Sequence, residues 1–150
     1  MDIFIGNMDA KMDAKGRVFV PAAFRKIMQT AGETHFIIRP DIFKNCIVLH
    51  PKCLWMEELM HLRSELGRYN EVEQNTFRTF QMNKEDVEMD ANGRILLPKR
   101  YLQFAGIKSE VTFLGMDGTI EIWNKEELEK TVFNPEEFRK NVSNLLGAKR

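Results

Sequence analysis

The ten residues Met12-Asp13-Ala14-Lys15-Gly16-Arg17-Val18-Phe19-Val20-Pro21 return, 77 positions later, as Met89-Asp90-Ala91-Asn92-Gly93-Arg94-Ile95-Leu96-Leu97-Pro98. Six positions are identical and three exchange one apolar residue for another. Only Lys15 against Asn92 changes chemistry. A doubled motif at this spacing implies a duplicated unit, and a unit of about 70 residues built of short strands buries too little apolar surface to stand alone. The chain is therefore expected to fold as two related halves packed on each other in a pseudo-twofold manner.

The residues around each copy have the same plan. Met8, Ala10 and Met12 alternate with Asp9, Lys11 and Asp13, the period of two of a half-buried strand, expected within residues 3–12. Ala14 to Gly16 reads as a turn in which Asp13 caps nearby amides and Gly16 takes positive φ. Val18-Phe19-Val20 resumes as a strand that Pro21 ends. Phe24, Ile27, Met28 and Ala31 fall on one face of a helix, with Gly32 as its left-handed stop. Strands follow at 34–39 and 47–50. In the second copy the same order runs from Val87 through a helix bearing Tyr101, Leu102 and Ala105, a stop at Gly106, and strands at 111–114 and 120–123.

Helices are expected from Pro51, carrying Leu54, Trp55, Leu59, Leu62 and Leu66, and at 72–80, 125–130 and 135–146. The last four residues, 147–150, are expected to fray. The resulting division is 1–80 for the first repeat with its trailing helices, 81–130 for the second, and 131–150 for a helical tail. No Pro-, Gly- or Ser-rich linker parts the halves.

Charge narrows the function. The chain has 22 basic and 22 acidic residues, so any nucleic-acid case must rest on local patches. One exists: residues 10–26 carry Lys11, Lys15, Arg17, Arg25 and Lys26 against Asp13 alone, whereas 87–103 has a net charge of +1. Arginine's planar fork suits a phosphate or a guanine edge, and a two-stranded ribbon can enter the major groove. The plain alternative is a structural turn with Asp and Arg paired across it, worth about 0–1 kcal/mol at a surface.

Other chemistries find little support. Cys46, His50, Cys53 and His61 fit no common zinc spacing, and core cysteines with surface histidines explain them. Phosphate-binding, nucleophile-elbow and dinucleotide motifs are absent, and Glu57/Glu58 and Glu126/Glu127 are adjacent pairs that do not face one another. No enzyme, metal, cofactor or small-molecule substrate is expected. The amino terminus lacks a basic segment followed by a long apolar one, and the apolar runs are too short to span a bilayer. Two cysteines and nine methionines suit a reducing compartment, so the expected location is cytoplasmic.

The paired Asp-x-x-x-Arg motifs, each followed by three apolar residues and Pro, resemble those of the MraZ family, as do Phe4-Ile5-Gly6 and Ile120-Glu121-Ile122-Trp123. The resemblance covers roughly residues 3–130, leaving 131–150 unmatched. It implies an α+β fold of two tandem AbrB-like swapped-hairpin β-barrel units with peripheral helices, assembled into a ring-shaped homo-oligomer. It also implies a DNA-binding regulator, a repressor on the nucleoid, that binds repeated boxes in the promoter of the division and cell-wall gene cluster. Family roles carry onto Arg17 and Arg94 as leading DNA contacts, with Lys15 and Lys11 beside them. Asn92 departs from lysine and would offer a base-edge hydrogen bond instead. Asp13, Gly16, Asp90 and Gly93 would support the turns. The competing expectation is an oligomeric interaction protein whose basic turns meet acidic protein partners.

Overall fold

The computed structural model describes residues 1–147. The described residues form eight strands and six helices. The first half contains β1 (Asn7–Lys11), β2 (Arg17–Phe19), α1 (Ala22–Thr30), β3 (His35–Pro40) and β4 (Ile47–Pro51). The second contains β5 (Glu85–Glu88), β6 (Arg94–Leu96), α4 (Lys99–Ala105), β7 (Glu110–Met116) and β8 (Thr119–Trp123). Between them lie α2 (Lys52–Glu65) and α3 (Glu71–Gln81), and α5 (Lys125–Thr131) and α6 (Pro135–Leu146) follow.

Strand pairing crosses between the halves. One antiparallel sheet runs β1-β7-β8-β4-β3-β5, and β2 pairs with β6 in a separate two-stranded ribbon. Each half keeps its own β3/β4 or β7/β8 hairpin, but its first strand joins the hairpin of the other half: β1 lies on β7 and β5 on β3. The register reveals the internal twofold. Val18 faces Ile95, its own counterpart in the repeat, and Val48 faces Glu121, its counterpart in the later strands. The axis therefore passes through both pairs. The barrel expected from the family resemblance is not closed: the strands divide into an open six-stranded sheet with edges at β1 and β5 and the small ribbon.

Both halves build one core. Val18, Val20, Phe24, Met28, Phe36 and Ile38 from the first half meet Met89, Ile95, Leu97, Tyr101, Phe113 and Ile122 from the second. Tyr101 is the largest fully buried side chain, and its hydroxyl lies against the carbonyls of Ile38 and Asn83, which accept its single proton between them. Pro21 and Pro98 occupy the N-cap positions of α1 and α4, just ahead of the first helical turn. Gly32 and Gly106 are both left-handed after those helices, as expected.

The first strand is shorter than the alternation suggested. Gly6 at φ +94° breaks it, and Phe4 reaches the sheet only through an isolated bridge to Asp117. Phe4 is nonetheless fully buried, with its ring edge-on to Phe24 at 5.3 Å. The Leu54/Trp55/Leu59/Leu62 stripe on α2, with Leu66 just past its end, is half-buried, and α2 lies over β3 and β4. Its Trp55 is edge-on to buried His50 at 4.8 Å. α6 differs: Phe138, Val142, Leu145 and Leu146 on it are exposed. Of the expected frayed end, 148–150 lie outside the described residues.

Gly115 lets the amino-terminal segment cross β7. A Cβ there would sit 2.5 Å from the Phe4 carbonyl oxygen and 2.8 Å from the Ile5 nitrogen, both backbone atoms that cannot move aside independently. Gly115→Ala should destabilise the fold by about 1–3 kcal/mol, the usual cost of overpacking. Urea unfolding measures it, and an unchanged midpoint would refute this account of the crossing.

Candidate nucleic-acid interface

The two motifs form superimposable turns. Asp13 accepts the amides of Lys15 and Arg17 on Oδ1 (2.9 and 3.0 Å) and Arg17 Nε on Oδ2 (2.7 Å). Asp90 does the same for Asn92 and Arg94 (2.9 and 2.9 Å) and for Arg94 Nε (3.0 Å). The backbone closes each turn as well: Asp13 and Arg17 pair N–H to O at 2.8 Å, as do Asp90 and Arg94. Gly16 and Gly93 sit at φ +87° and +86°, where a side chain is strained. Gly93 has a second reason to be glycine, because a Cβ would lie 2.2 Å from Arg25 Cδ.

This geometry fixes what each arginine offers. The aspartate takes only Nε, and among the described residues the two Nη groups of Arg17 and Arg94 have no hydrogen-bond partner. Those Nη groups form the end-on fork that recognises a phosphate or adjacent acceptors on guanine. Each aspartate aims an arginine while leaving its Nη edge open. Asp13 and Asp90 both titrate below the ordinary aspartate value, chiefly because the backbone amide of Arg17 or Arg94 donates to the carboxylate.

The turns lie at opposite ends of the β2/β6 ribbon, not side by side. Gly16 O accepts from Leu97 N–H at one end, and Gly93 O from Val20 N–H at the other. At about 3.3 Å per residue the two turns are about 13 Å apart. Lys15 and Asn92 are exposed at the turn tips. Lys11 lies opposite Glu110 at the end of β1, just before the first turn.

Three features escape a linear reading. Arg25 leaves the basic window of the first copy and packs over Gly93 in the second turn, donating Nη1 to Val20 O at 2.7 Å. Its repeat counterpart, Leu102, packs against Gly16. The turn that lacks a lysine therefore has an arginine brought to it by the opposite half. The first turn gains Lys99 and Lys108, which line a cavity of about 510 Å³ with Lys15. The outward face of the ribbon adds exposed Phe19 and Leu96. The 77-residue offset alone pairs Arg25 with Leu102; only the strand exchange shows which turn each one covers.

The metal-like set departs from core cysteines with surface histidines: His50 is buried and Cys53 exposed, and His50 and His61 line one cavity. His50 is buried, accepts Arg39 Nε at 3.0 Å and has its pKa pushed down to about 3, first by burial and then by Arg39 and Lys84. Cys46 is buried near Asp41 and Glu121. Burial first, then those carboxylates, hold its thiol far above the ordinary value, so it stays protonated at neutral pH. Cys53 is exposed at the start of α2.

Comparison with known proteins settles the relationship. The family model described as "MraZ protein, putative antitoxin-like" matches residues 80–147. A protein of Bacteroides fragilis named transcriptional regulator MraZ is 48% identical over 98% of this chain and 93% of its own length. The protein of that name from Bacteroides thetaiotaomicron is 50% identical over 90% of this chain and 86% of its own. One from Lachnoclostridium phytofermentans is 32% identical over 94% and 96%. The chain belongs to the MraZ family. The segment from 131 to 147, unmatched by the motif resemblance, falls within the family match. No described helix is long and apolar enough to cross a membrane.

Because both aspartate pKa values are depressed, the clamp is fully present above the unfolded aspartate value and is lost as pH falls through the lower folded one. The amide resonances of Lys15, Arg17, Asn92 and Arg94 should hold steady from neutral pH to below 3.8, the ordinary value, and shift only beneath it. Asp13→Ala should abolish the titration at the first turn alone. Midpoints at or above 3.8 in an NMR titration would contradict the clamp.

Proposed function

We propose that this MraZ-family chain is a sequence-specific, double-stranded-DNA-binding transcriptional regulator. In this reading it is a repressor acting in the cytoplasm, on the nucleoid, at repeated boxes in the promoter of the division and cell-wall gene cluster. Arg17 and Arg94 make the leading contacts, with Lys15, Lys11 and Asn92 beside them. Asp13, Gly16, Asp90 and Gly93 hold the turns. No catalytic step, cofactor or small-molecule substrate enters.

The observation that carries this reading is the pair of matching turns at the two ends of one ribbon, each aiming an arginine whose Nη fork has no partner among the described residues. Each pair uses only Nε, so the Nη edge of both partly exposed arginines is available to a ligand. The relatives' name, transcriptional regulator, favours DNA over an acidic protein as the partner. Exchange of β1 and β5 between the halves supports the AbrB-like swapped-hairpin plan, with repeats at 1–80 and 81–130 and a tail at 131–150.

A ring-shaped homo-oligomer completes the proposal. A neutral chain gains little non-specific attraction to DNA, and several ribbons held on one assembly would bind repeated boxes by avidity. The support is α6, a 12-residue amphipathic helix whose Phe138 and Leu145 are exposed on a single chain. Isolated helices of this length are marginal in water, so its apolar face needs a partner. Phe138→Asp with Leu145→Asp should shift the protein to smaller species in light scattering, with the core sheet retained by circular dichroism. A parent chain that runs as a monomer would exclude the ring.

Arg17→Ala should weaken binding to the DNA upstream of the protein's own gene about 10- to 100-fold, the worth of one good bidentate contact. Parent affinity should fall by about 0.9 log units per log unit of salt for each contacted phosphate. A gel shift in which Arg17→Ala matches the parent would remove the motif from the interface. No preference for promoter over random DNA would favour acidic protein partners instead.

A further inference from the structure

The outward face of the ribbon is not uniformly basic. Strand alternation turns Val18 and Ile95 into the core, where they are 1% and 0% exposed, and turns Arg17, Phe19, Arg94 and Leu96 outward. Phe19 and Leu96 are 51% and 54% exposed. The register sets Arg17 opposite Leu96 and Phe19 opposite Arg94, and the Arg94 guanidinium carbon lies 5.8 Å above the Phe19 ring. The internal twofold maps Arg17 onto Arg94 and Phe19 onto Leu96. Each copy of the repeat thus presents one arginine with a free fork and one large apolar side chain, two residues apart.

A single exposed apolar residue needs no explanation. Two at symmetric positions, each facing an arginine aimed by its own aspartate, form a mixed recognition surface. On a strand, residues i and i+2 are about 7 Å apart, close to two base-pair steps at about 3.4 Å each. In the major groove, arginine finds paired acceptors on guanine, and the group that suits a hydrocarbon side chain is the C5-methyl of thymine. The groove also admits a two-stranded ribbon.

The geometry points to Phe19 and Leu96 as specificity-determining residues that take thymine C5-methyl groups beside the bases or phosphates held by Arg17 and Arg94. This rests on the DNA reading above. It makes the preferred site a mixed one, with thymine within about two steps of each arginine contact, because the cation and the hydrocarbon are held at fixed spacing on one rigid ribbon.

The test alters the DNA. The duplex upstream of the protein's own gene is prepared with thymine and, separately, with deoxyuridine at every thymine, which removes only the C5-methyl groups. The intact parent protein should bind the uracil duplex more weakly, by about fourfold for each buried methyl and so about 15-fold for two. Phe19→Ala combined with Leu96→Ala should bind both duplexes equally, with the parent's salt dependence, because the cationic contacts remain. Binding by the parent without discrimination would overturn this assignment and leave the DNA reading standing, as would full discrimination by the double variant. Failure of the parent to bind either duplex would overturn both. The discrimination is a ratio within one protein preparation, so an inactive fraction cancels from it, and circular dichroism of the double variant checks that the binding fraction is folded.

Discussion

Val18 and Ile95 pair at the centre of a three-residue ribbon, and both are buried in a core to which the two halves contribute. Ladders this short are weak alone, since an isolated two-stranded ribbon is marginal in water. The ribbon holds because its inner face is part of the common core and its ends are tied by Leu97 N–H to Gly16 O and Val20 N–H to Gly93 O. Those same two bonds anchor the glycines of the two turns. The packing that makes one domain of two incomplete halves therefore also sets the distance and orientation of the arginines.

Strand exchange multiplies the effect. With β1 on β7 and β5 on β3, neither half can leave the other without exposing an unpaired sheet edge and opening the shared core. The Arg25 position shows the consequence for the site. Carried on α1 of the first half, Arg25 lies over Gly93 of the second, so an arginine adjoins the turn where asparagine replaces lysine. The marked charge difference between the two sequence windows is thereby reduced in space. Aspartate adds direction. By accepting two amides and Nε, it organises the turn and leaves the arginine's outer edge to a ligand, so an acidic residue in a basic motif is a positioning element.

The periphery obeys a different rule. α2 and α3 are steadied by side-chain contacts such as Arg63 over Phe77 at 4.0 Å and Lys84 over Trp55 at 4.4 Å. Burial and nearby Arg39 hold the Lys84 pKa down to about 8. α6 has a well-made start, with Asn134 capping Glu137 N–H at 2.8 Å and acidic residues in its first turn. Local signals thus suffice to begin that helix, while its apolar face is exposed on the single chain.

The sequence alone determined the duplication, the turn chemistry and the order of elements. Asp, Gly and Arg at fixed spacing have local requirements, namely a capping carboxylate, a positive φ and a side chain within reach four residues on. Periodicity likewise located the helices at Pro51, Pro135 and between them. Pairing across the halves was beyond it, because strand alternation gives the faces of a strand but not its partner. Hence the open sheet in place of a closed barrel, Lys11 drawn onto the sheet opposite Glu110, and turns at opposite ends of a ribbon were decided only by tertiary structure. The outward Phe19 and Leu96 were already written as apolar strand residues; their exposure follows from the burial of Val18 and Ile95, which only the packed core could assign.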